Sequence, residues 1–498
     1  PEQRAENARA LRIAWANIEF EVSDAIFHSN NGERTSAAAF HKTLPHDELG
    51  QVDPVAFDAM VQCVATADFD TCEDVPAGGP ASLANPLGGI ATDMAGPASS
   101  ALPIPPVPVL SSEELASQLA EVYWMALARD VPFSKYGDDD ITVTAAANLA
   151  GMPGFAQMPG VAVGADGAPD PLTQLFRSTA FGVETGPFIS QLLVQDFSLD
   201  SITVTPKQTT LAPGVDYMTA YDQWLFIQNG GFDPEPEIED PITRFLRNAR
   251  DVARMVAVDT IYTEAFRGAM ILLEIDAISR PGANGPYSTE TRQEGFVSYG
   301  TSHLMKLIGT GEMAQRSSWY QKWNVHMFPR PEALAGTLHN VLVGDLNVEF
   351  DPSIINNTEL LDRVAIHNEA QNGVGPEGRT FLMPQAARNG SPAHPSYPSG
   401  HAVQNGAFAT VLKALVGLER GATCFERPVY PDPDGQELLF FTGDECLTIA
   451  GEINKMAVNV AFGRQMLGIH YRFDGQEGLT LGEMVAVRLL HQVSLPRE

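Results

Sequence analysis

Apolar residues recur at helical spacing along most of the chain. The clearest amphipathic run is SEELASQLAEVYWMALARDV, residues 111–130, and similar periodicity covers residues 242–275, residues 295–323 and roughly the last two hundred residues. Strand-like alternation is scarce and is confined to short pieces such as DSITVTP, residues 200–206. The pattern predicts a mainly α fold of helices packed as bundles, with few short strands.

The beginning of the chain differs in composition from the rest. Residues 74–110 are dense in Pro, Gly and Ala, which rules out long regular elements there. Ser111 and Glu114 then form a capping box that opens the first confident helix. We therefore expect an N-terminal part with helices and a Pro/Gly-rich arm, residues 1–110, and a helical-bundle core, residues 111–498, that together form one compact unit.

The chain is strongly acidic. It holds 31 Lys and Arg against 62 Asp and Glu among 498 residues, a formal net charge of -31 at pH 7. This balance argues against nucleic acid and anionic membrane surfaces as partners. No run of about 18 apolar residues is present, so no transmembrane helix is expected. Cations that are gathered locally in such a chain are therefore candidates for an anion site.

The four cysteines fall into two local pairs, Cys63 with Cys72 and Cys424 with Cys446. Two short-loop disulfides are the natural prediction, and unpaired buried thiols are the alternative. No CxxC motif or Cys/His cluster with zinc spacing is present. Paired cysteines would favour an oxidising or extracytoplasmic compartment, and the sequence otherwise leaves the localisation open.

The strongest local motif is HPSYPSGH, residues 394–401, which is followed at once by an apolar-periodic segment. Ser399 suits the N-cap of a helix, and the N–H of Gly400 has no partner within the first turn. Both groups can meet an oxyanion at the positive end of the helix dipole, and a glycine lets the anion approach the backbone. The alternative is an ordinary turn and cap with two surface histidines.

A second motif lies in GEINKMAVNVAFGRQMLGIHYRFDG. Gly468 is placed as a helix stop, so the chain can bend and bring Arg464 and His470 to one pocket. Asp474 can accept a hydrogen bond from one ring nitrogen of His470 and fix its tautomer. Alternatively, Asp474 is an ordinary turn residue before Gly475.

A third segment supplies two more cations. Lys322 lies in the aromatic segment WYQKW, and Arg330 lies between two prolines. An arginine at such a bend is well suited to a tetrahedral oxyanion. For an isolated pair, the alternative is that both side chains extend along the surface into solvent.

Together the three segments resemble the three-part pattern of vanadium haloperoxidases and a large family of acid phosphatases. HPSYPSGHA, WYQKWNVH and NVAFGRQMLGIHYRFDG are similar to the bromoperoxidases of red algae and marine cyanobacteria. The similarity covers roughly the last two hundred residues, and RFLRNARDVARMVAVDTIY is the clearest similar piece upstream. It implies a helical fold with a core of two four-helix bundles. The interval from Lys322 to Arg330 is one residue longer than in the wider pattern, so we expect a loop to absorb that residue.

The resemblance also implies a role for each polar residue. His470 is expected to be the axial imidazole ligand of vanadium, and His401 to hydrogen-bond the apical oxygen and act as general acid and base. Lys322 is expected to polarise bound peroxide. His394 matches an additional histidine of algal bromoperoxidases, and we predict that it tunes halide oxidation. The oxygens of vanadate are expected to be held by cationic, hydroxyl and backbone donors: Lys322, Arg330, Arg464, Ser399 and the Gly400 N–H.

The implied activity is a vanadate-dependent haloperoxidase. It would use hydrogen peroxide to oxidise bromide to a hypobromous-acid-like species that halogenates small organic acceptors. The implied assembly is a homo-oligomer, with a dodecamer expected. Acidic segments such as DPEPEIED, residues 233–240, are either solvated faces or calcium sites, and no EF-hand spacing supports calcium.

Two other functions stay open at this point. An acid phosphatase of the same superfamily would bind phosphate in the same pocket, with His470 as the nucleophile and His401 as the acid for the leaving group. A non-catalytic anion-binding or assembly protein is the third interpretation. His394 and the similarity around HPSYPSGHAVQNGAF favour the peroxidase over both.

Overall fold

The structure of the protein is a computed structural model. It describes residues 36–91, 96–199, 201–260, 262–275, 277–278, 287, 291–298, 300–373, 375 and 378–493. The part of the predicted N-terminal region that precedes residue 36 lies outside this description. Helices dominate the described chain, which confirms the mainly α prediction. None of the described helices is long and apolar enough to cross a membrane.

The α-helices are numbered in chain order. They are α1 Pro54–Thr66, α2 Phe69–Glu73, α3 Glu113–Leu127, α4 Asp140–Ala150, α5 Gln191–Val194, α6 Tyr221–Gln228, α7 Ala249–Val258, α8 Thr263–Glu274, α9 Thr301–Thr310, α10 Ala314–Tyr320, α11 Pro331–Val343, α12 Pro352–Ile355, α13 Thr358–Asn372, α14 Gly400–Val416, α15 Leu418–Gly421, α16 Ile449–Met466 and α17 Arg472–Val493.

The remaining regular elements of the described chain are short. Single 3₁₀ turns cover Ser36–Ala38, Gly88–Ile90, Phe133–Lys135, Phe155–Gln157 and Gly311–Met313. The strands are β1 Phe197–Leu199, β2 Ile202–Val204, β3 Val429–Pro431 and β4 Leu438–Phe440. They form two antiparallel hairpins, β1 with β2 and β3 with β4. The segment that sequence alternation singled out as a strand is β2.

Helix α3 begins one residue later than the predicted capping box. Its N-cap is Ser112, whose Oγ accepts a hydrogen bond from the N–H of Leu115 at 3.2 Å. Three residues after Ser112 stands Leu115, so no Glu can reach back and the capping box is absent. The Oγ of Ser111 is buried and has no hydrogen-bond partner among the described residues. The prediction of the helix was correct, and its start was wrong because two adjacent serines compete for the cap.

The helical run predicted for residues 242–275 is shorter and interrupted. Helix α7 begins only at Ala249, because Asn248 caps it by accepting a hydrogen bond from the N–H of Asp251 at 3.0 Å. Helix α7 ends at Val258, its C-cap Asp259 has an extended backbone, and α8 follows as a separate helix. The break at Asp259 turns its side chain toward the later helices, where it becomes part of the site.

Helices α14, α16 and α17 pack against one another at the centre of the bundle. A Cβ on Gly482 would lie 1.9 Å from the carbonyl oxygen of Val403, so only glycine permits this approach of α17 to α14. At the start of the same two helices, the N–H of Ser399 donates to the carbonyl of Asp474 at 2.9 Å. The packing therefore fixes the N-terminus of α14 beside the turn that leads from α16 to α17.

Two disulfides are present, and both predicted pairs are confirmed. Cys63–Cys72 ties α1 to α2, and Cys424–Cys446 closes the segment that contains the β3–β4 hairpin. The described N-terminal residues pack on the core, since the ring of Phe40 meets the ring of Trp323 edge-on at 5.5 Å. The boundary at residue 110 stays a prediction.

Candidate anion-binding site

The N-terminus of α14 supplies a hydroxyl and a backbone N–H. Ser399 is the N-cap of the helix, as predicted, but its side chain makes no capping hydrogen bond. Its Oγ is buried and has no partner among the described residues. A buried hydroxyl without a partner is costly unless a ligand satisfies it. Ser399 therefore points to an occupant at this helix end.

Gly400 follows as the first residue of α14, where the backbone N–H has no intrahelical acceptor. A Cβ at this position would lie 2.8 Å from the Oε1 of Gln315 and 3.2 Å from the ring of Trp319. The side chains of α10 therefore leave little room for a Cβ here. This packing reason is added to the approach of an anion, which was the reason considered from the sequence.

The turn between α16 and α17 brings a histidine to the same place. Gly468 has a φ of +95° and ends α16 within two residues, as predicted. Arg464 lies in the last turn of α16 and His470 lies just beyond the helix. The positive charge of Arg464 contributes to lowering the pKa of His470, behind burial and the charges of Arg330 and Lys322. The predicted bend thus brings Arg464 and His470 into one cluster, which Lys322 and Arg330 join from other elements.

His470 is held by Asp474 in the first turn of α17. The Nδ1 of His470 lies 2.6 Å from the Oδ2 of Asp474, which is the predicted hydrogen bond. The same carboxylate oxygen accepts from the hydroxyl of Ser396 and from the N–H of Tyr471. Because Nδ1 donates to Asp474, the lone pair of the imidazole is on Nε2. This nitrogen faces Arg330, whose Nη1 is 2.7 Å away.

Arg330 is fully buried, so the surface alternative is wrong for this residue. It stands as the N-cap of α11, with Pro331 as the first residue of the helix. Its Nε donates to the carbonyl of His394 at 3.0 Å, and its Nη1 donates to the carbonyl of Ile469 at 2.9 Å. These bonds fix the plane of the guanidinium beside His470.

Lys322 is also fully buried, and it lies in a π-helical turn, Gln321–His326, which the sequence did not predict. The N–H of Met327 donates to the carbonyl of Lys322 at 2.8 Å, an i to i+5 hydrogen bond. A π-turn accommodates one extra residue within a helix. The interval to Arg330 therefore contains this π-turn and, after it, a short loop at residues 327–330.

The ammonium of Lys322 is held by the backbone of the HPSYPSGH segment. Its Nζ donates to the carbonyl of Pro395 at 2.8 Å and to that of Ser396 at 2.6 Å. An ammonium has three N–H donors, so one is left for a ligand. Arg464 is similarly incomplete: its Nη1 donates to the carbonyl of Val256 at 2.5 Å, and its buried Nε has no partner among the described residues.

The three cations repel one another in a buried site. Burial, followed by the charge of Arg330, holds the pKa of Lys322 well below its usual range. Burial lowers the pKa of Arg330 to about 9 and that of Arg464 to about 10. Burial also raises the pKa of Asp474 to about 6. An anion with several negative charges would relieve this repulsion, because it interacts with all three cations at once.

His401 is paired with a carboxylate that the sequence analysis did not identify. Its Nε2 lies 3.0 Å from the Oδ1 of Asp259. Burial, then Arg464, Lys322 and Arg330, hold the pKa of His401 well below its usual range, which favours the neutral imidazole. A neutral imidazole beside a carboxylate can take up a proton from a reacting group.

Asp259 has a second acidic neighbour, Glu264 of α8. Burial raises the pKa of Asp259 to about 6. Burial, and then the charge of Asp259, raise the pKa of Glu264 to about 7. The interaction between the two carboxyl groups lowers the pKa of Asp259 and raises that of Glu264, so Glu264 is the member of the pair that holds a proton more readily.

His394 has different neighbours from His401. Its Nδ1 lies 3.0 Å from the Nη2 of Arg330, and its ring centroid lies 4.8 Å from that of Trp319. Burial, then Arg330 and Lys322, hold its pKa well below the usual range. No direct hydrogen bond between His394 and His401 is found in the described part of the chain. A proton network that joins the two histidines therefore has no direct contact to support it, and the role of His394 in halide oxidation stays a prediction.

Comparison with known proteins places this chain in a family. A family model described as the VCPO second helical-bundle domain matches residues 367–496. A vanadium-dependent bromoperoxidase of Ascophyllum nodosum is 61% identical over 498 residues, which cover 99% of this chain and 89% of that protein. The chain belongs to the vanadium-dependent bromoperoxidase family. A second member, from Corallina pilulifera, is 31% identical over 94% of this chain and 89% of its own length.

A solved structure of the family confirms the fold. It is the homohexameric structure of the second vanadate-dependent bromoperoxidase of Ascophyllum nodosum, which is 40% identical to this chain. It matches 98% of this chain and 85% of its own with a TM-score of 0.88. The predicted vanadium haloperoxidase fold is therefore correct.

Two site residues of this family member escaped the sequence analysis. Asp259 lies in the similar upstream piece, but nothing in that piece connects it with His401, 142 positions later. Ser396 lies inside the HPSYPSGH motif, and its hydroxyl joins Asp474 in holding His470. The only sequence signal for Ser396 was its place in the motif.

The acidic segment at residues 233–240 does not resemble a metal site. Asp233 forms an ion pair with Arg388 at 2.9 Å, and Glu237 and Glu239 each form one with Arg254 at 2.6 Å. Across the described chain, no group of three or more His, Cys, Asp or Glu side chains is arranged to hold a metal ion. The carboxylates of this segment are thus used mainly in ion pairs.

Proposed function

We propose that the chain binds vanadate between α14 and the α16–α17 turn and uses hydrogen peroxide to oxidise bromide. The product would be a hypobromous-acid-like species that halogenates small organic acceptors. Membership of the vanadium-dependent bromoperoxidases supports this function. The observation that carries the proposal is the set of three buried cations around the imidazole of His470. Because Nδ1 of this imidazole donates to Asp474, its lone pair is on Nε2, the nitrogen that would bind the metal.

The donor groups of the cluster fit vanadate. His470 would bind vanadium through Nε2. The oxygens of vanadate would be held by donors that have a free N–H or O–H or a positive charge: Lys322, Arg330, Ser399, Gly400 and Arg464. The unpartnered Oγ of Ser399 and Nε of Arg464 support this fit, because each needs a partner inside a buried site. Cations in a water-poor pocket neutralise an oxyanion strongly.

Bound vanadate would supply a Lewis acid that activates hydrogen peroxide for attack by a halide. The protein must handle the protons that peroxide loses on binding. His401 is the base for this step, since its imidazole is neutral and is oriented by Asp259. Lys322 would polarise peroxide through its remaining N–H, since the backbone carbonyls of Pro395 and Ser396 hold its ammonium in position.

The same cations are suited to phosphate, so the assay must separate two activities. We would measure bromination of an activated organic acceptor with vanadate, peroxide and bromide, and hydrolysis of an aryl phosphate without vanadate. The proposal predicts bromination that requires all three additions, with hydrolysis at the level of the His470→Ala variant. Phosphate hydrolysis that depends on His470, without bromination, would assign the chain to the phosphatases. If neither activity is detected, the chain is a non-catalytic anion-binding protein.

We further propose that the chain forms a homo-oligomer and that the assembly is a dodecamer. A related bromoperoxidase of Ascophyllum nodosum is homohexameric, which supports self-association. The mass of one chain is 53.7 kDa, so light scattering after size exclusion separates the two assemblies clearly. A measured mass of six chains would show a hexamer and refute the dodecamer, and the mass of a single chain would refute the homo-oligomer.

A further inference from the structure

A buried ion pair lies next to the anion-binding cluster, between the N-terminal residues and α11. The Nζ of Lys42 is 2.6 Å from the Oε1 of Glu332, and their side chains are 6% and 1% exposed. Glu332 stands in the first turn of α11, two residues after Arg330. The pair thus places a buried carboxylate close to one of the three cations of the site.

The pair also ties together the backbone that precedes His394. Lys42 donates to the carbonyl of Ser391 at 2.6 Å and to that of Asn389 at 3.1 Å. Glu332 accepts from the N–H of Ser391 at 2.8 Å and from its hydroxyl at 2.6 Å. Lys42, Glu332 and Ser391 therefore form one closed network with little freedom to rearrange.

The same N-terminal segment contacts the end of the π-helical turn. The N–H of Phe40 donates to the carbonyl of Met327 at 2.6 Å, directly after the turn that carries Lys322. Phe40 and Lys42 thus contact the elements that carry Lys322, Arg330 and His394. This segment lies outside the helical bundle and yet borders the site.

Charge is the reason that Lys42 matters to Arg330. Glu332 acts on Arg330 as a nearby negative charge, and Arg330 acts on Lys42 as a nearby positive charge. A buried carboxylate that loses its cation attracts any other cation within reach. Without Lys42, Glu332 would compete with a bound oxyanion for the guanidinium of Arg330.

We propose that Lys42 is a positioning residue for vanadate binding: by neutralising Glu332, it leaves the positive charge of Arg330 available to the bound oxyanion. This inference rests on the proposed function. It assigns a part in the site to a lysine 288 positions before Arg330 in the sequence, outside the three motifs that define the cluster.

The test is vanadate affinity, measured by equilibrium dialysis on the vanadate-free protein. Lys42→Met should weaken binding on the order of tenfold, the size expected when one charge-assisted contact is lost. Lys42→Arg keeps the charge and should bind within about threefold of the unchanged protein. The double variant Lys42→Met with Glu332→Gln should also recover to within about threefold, because no carboxylate is left to compete.

A matched control is available in a second buried Lys–Glu pair. Lys455 and Glu452 on α16 lie 2.7 Å apart, with side chains 0% and 1% exposed. The charges that act on Lys455 are those of Glu452 and Arg177, outside the vanadate cluster. Lys455→Met leaves a comparable unpaired carboxylate, and its vanadate affinity should stay within about threefold of the unchanged protein.

Circular dichroism identifies variants that do not fold, and Lys42→Gln replaces Lys42→Met if the latter does not. Unchanged affinity in a folded Lys42→Met or Lys42→Gln variant would overturn the inference. So would an equal loss in Lys455→Met, or a double variant as weak as Lys42→Met alone. If the unchanged protein itself fails to bind vanadate in the same dialysis, the proposed function fails instead, and the two failures are therefore distinguishable.

Discussion

The site contains two buried histidine–carboxylate pairs that differ in how firmly the carboxylate is held. Asp474 is four residues from His470, and its Oδ2 also accepts from Ser396 and Tyr471. Asp259 is 142 residues from His401, and its Oδ2 accepts no hydrogen bond from an N–H or hydroxyl donor of the described chain. The first pair fixes the imidazole of His470 in one tautomer, whereas in the second pair Asp259 can exchange a proton with Glu264. The same two residue types can thus serve two different tasks.

The largest expected effect is the loss of His470 itself. His470→Ala should abolish both vanadate retention and bromination, because it removes the only bond from the protein to the metal in this account. Dialysis of the vanadate-loaded variant and a bromination assay measure the two losses. Substantial bromination by a folded His470→Ala variant would refute the assignment.

Removing the carboxylate of the fixed pair should have the next largest effect. Asp474→Asn replaces the charged acceptor that orients His470 with a neutral amide, and a loss of this kind weakens metal binding by about 10- to 100-fold. The dissociation constant of vanadate is the measurement. Vanadate affinity equal to that of the unchanged protein would show that His470 keeps its orientation without Asp474.

Removing one cation should cost somewhat less. Arg464→Ala deletes a charge-assisted donor worth about 1.5–3 kcal/mol, so vanadate binding should weaken on the order of tenfold. Arg254→Ala is the control, since Arg254 pairs with Glu237 and Glu239 outside the site. Equal affinities for the Arg464→Ala variant and the control would place Arg464 outside the vanadate site.

A change in the His401–Asp259 pair should lower bromide turnover and leave vanadate affinity nearly unchanged. Asp259→Asn keeps the shape of the side chain but removes the charge that pairs with His401. We expect vanadate affinity within about threefold of the unchanged protein and bromide turnover reduced by about tenfold or more. Titration with vanadate and steady-state kinetics across pH separate these quantities. A loss of affinity with unchanged turnover of the loaded enzyme would reverse the roles assigned to the two pairs.

The last effect is on stability and not on vanadate or turnover, and it concerns Glu264, whose pKa of about 7 lies above its ordinary value of 4.5. Between these values the folded chain holds a proton that the unfolded chain has released, so stability falls as the pH rises from about 4.5 to about 7. Glu264→Gln should remove up to about 3 kcal/mol of this fall, at about 1.4 kcal/mol per pKa unit. Urea unfolding across this range measures it.

The control for this prediction is Glu274→Gln on the same helix, α8, where the side chain is exposed. That variant should keep the pH dependence of the unchanged protein. If Glu264→Gln and the unchanged protein lose stability in parallel between pH 4.5 and 7, Glu264 does not hold the proton.

Local sequence patterns were sufficient for the parts of the site that lie near helix ends. Ser399, Gly468, His470 and Asp474 were placed correctly because caps, stops and short spacings determine their positions. Lys322 was recognised as a site residue, but its π-helical turn was not, since helical periodicity does not distinguish a π-turn from a short loop.

Contacts between distant segments could not be predicted in this way. Asp259 meets His401 across 142 positions, and Lys42 meets Glu332 across 290. Neither pair has a spacing or motif of its own, because both arise from the packing of helices and of the N-terminal segment on them. The fold class followed from periodicity, whereas helix starts such as that of α3 depended on which of two serines made the cap.

X-ray absorption at the vanadium edge tests the central claim most directly. The protein would be loaded with one vanadate per chain and compared with the His470→Ala variant at the same vanadate concentration. The account predicts one imidazole nitrogen among the oxygen ligands of vanadium in the unchanged protein, and its absence in the variant. A spectrum with oxygen ligands alone in the unchanged protein, or an unchanged nitrogen contribution in His470→Ala, would contradict it.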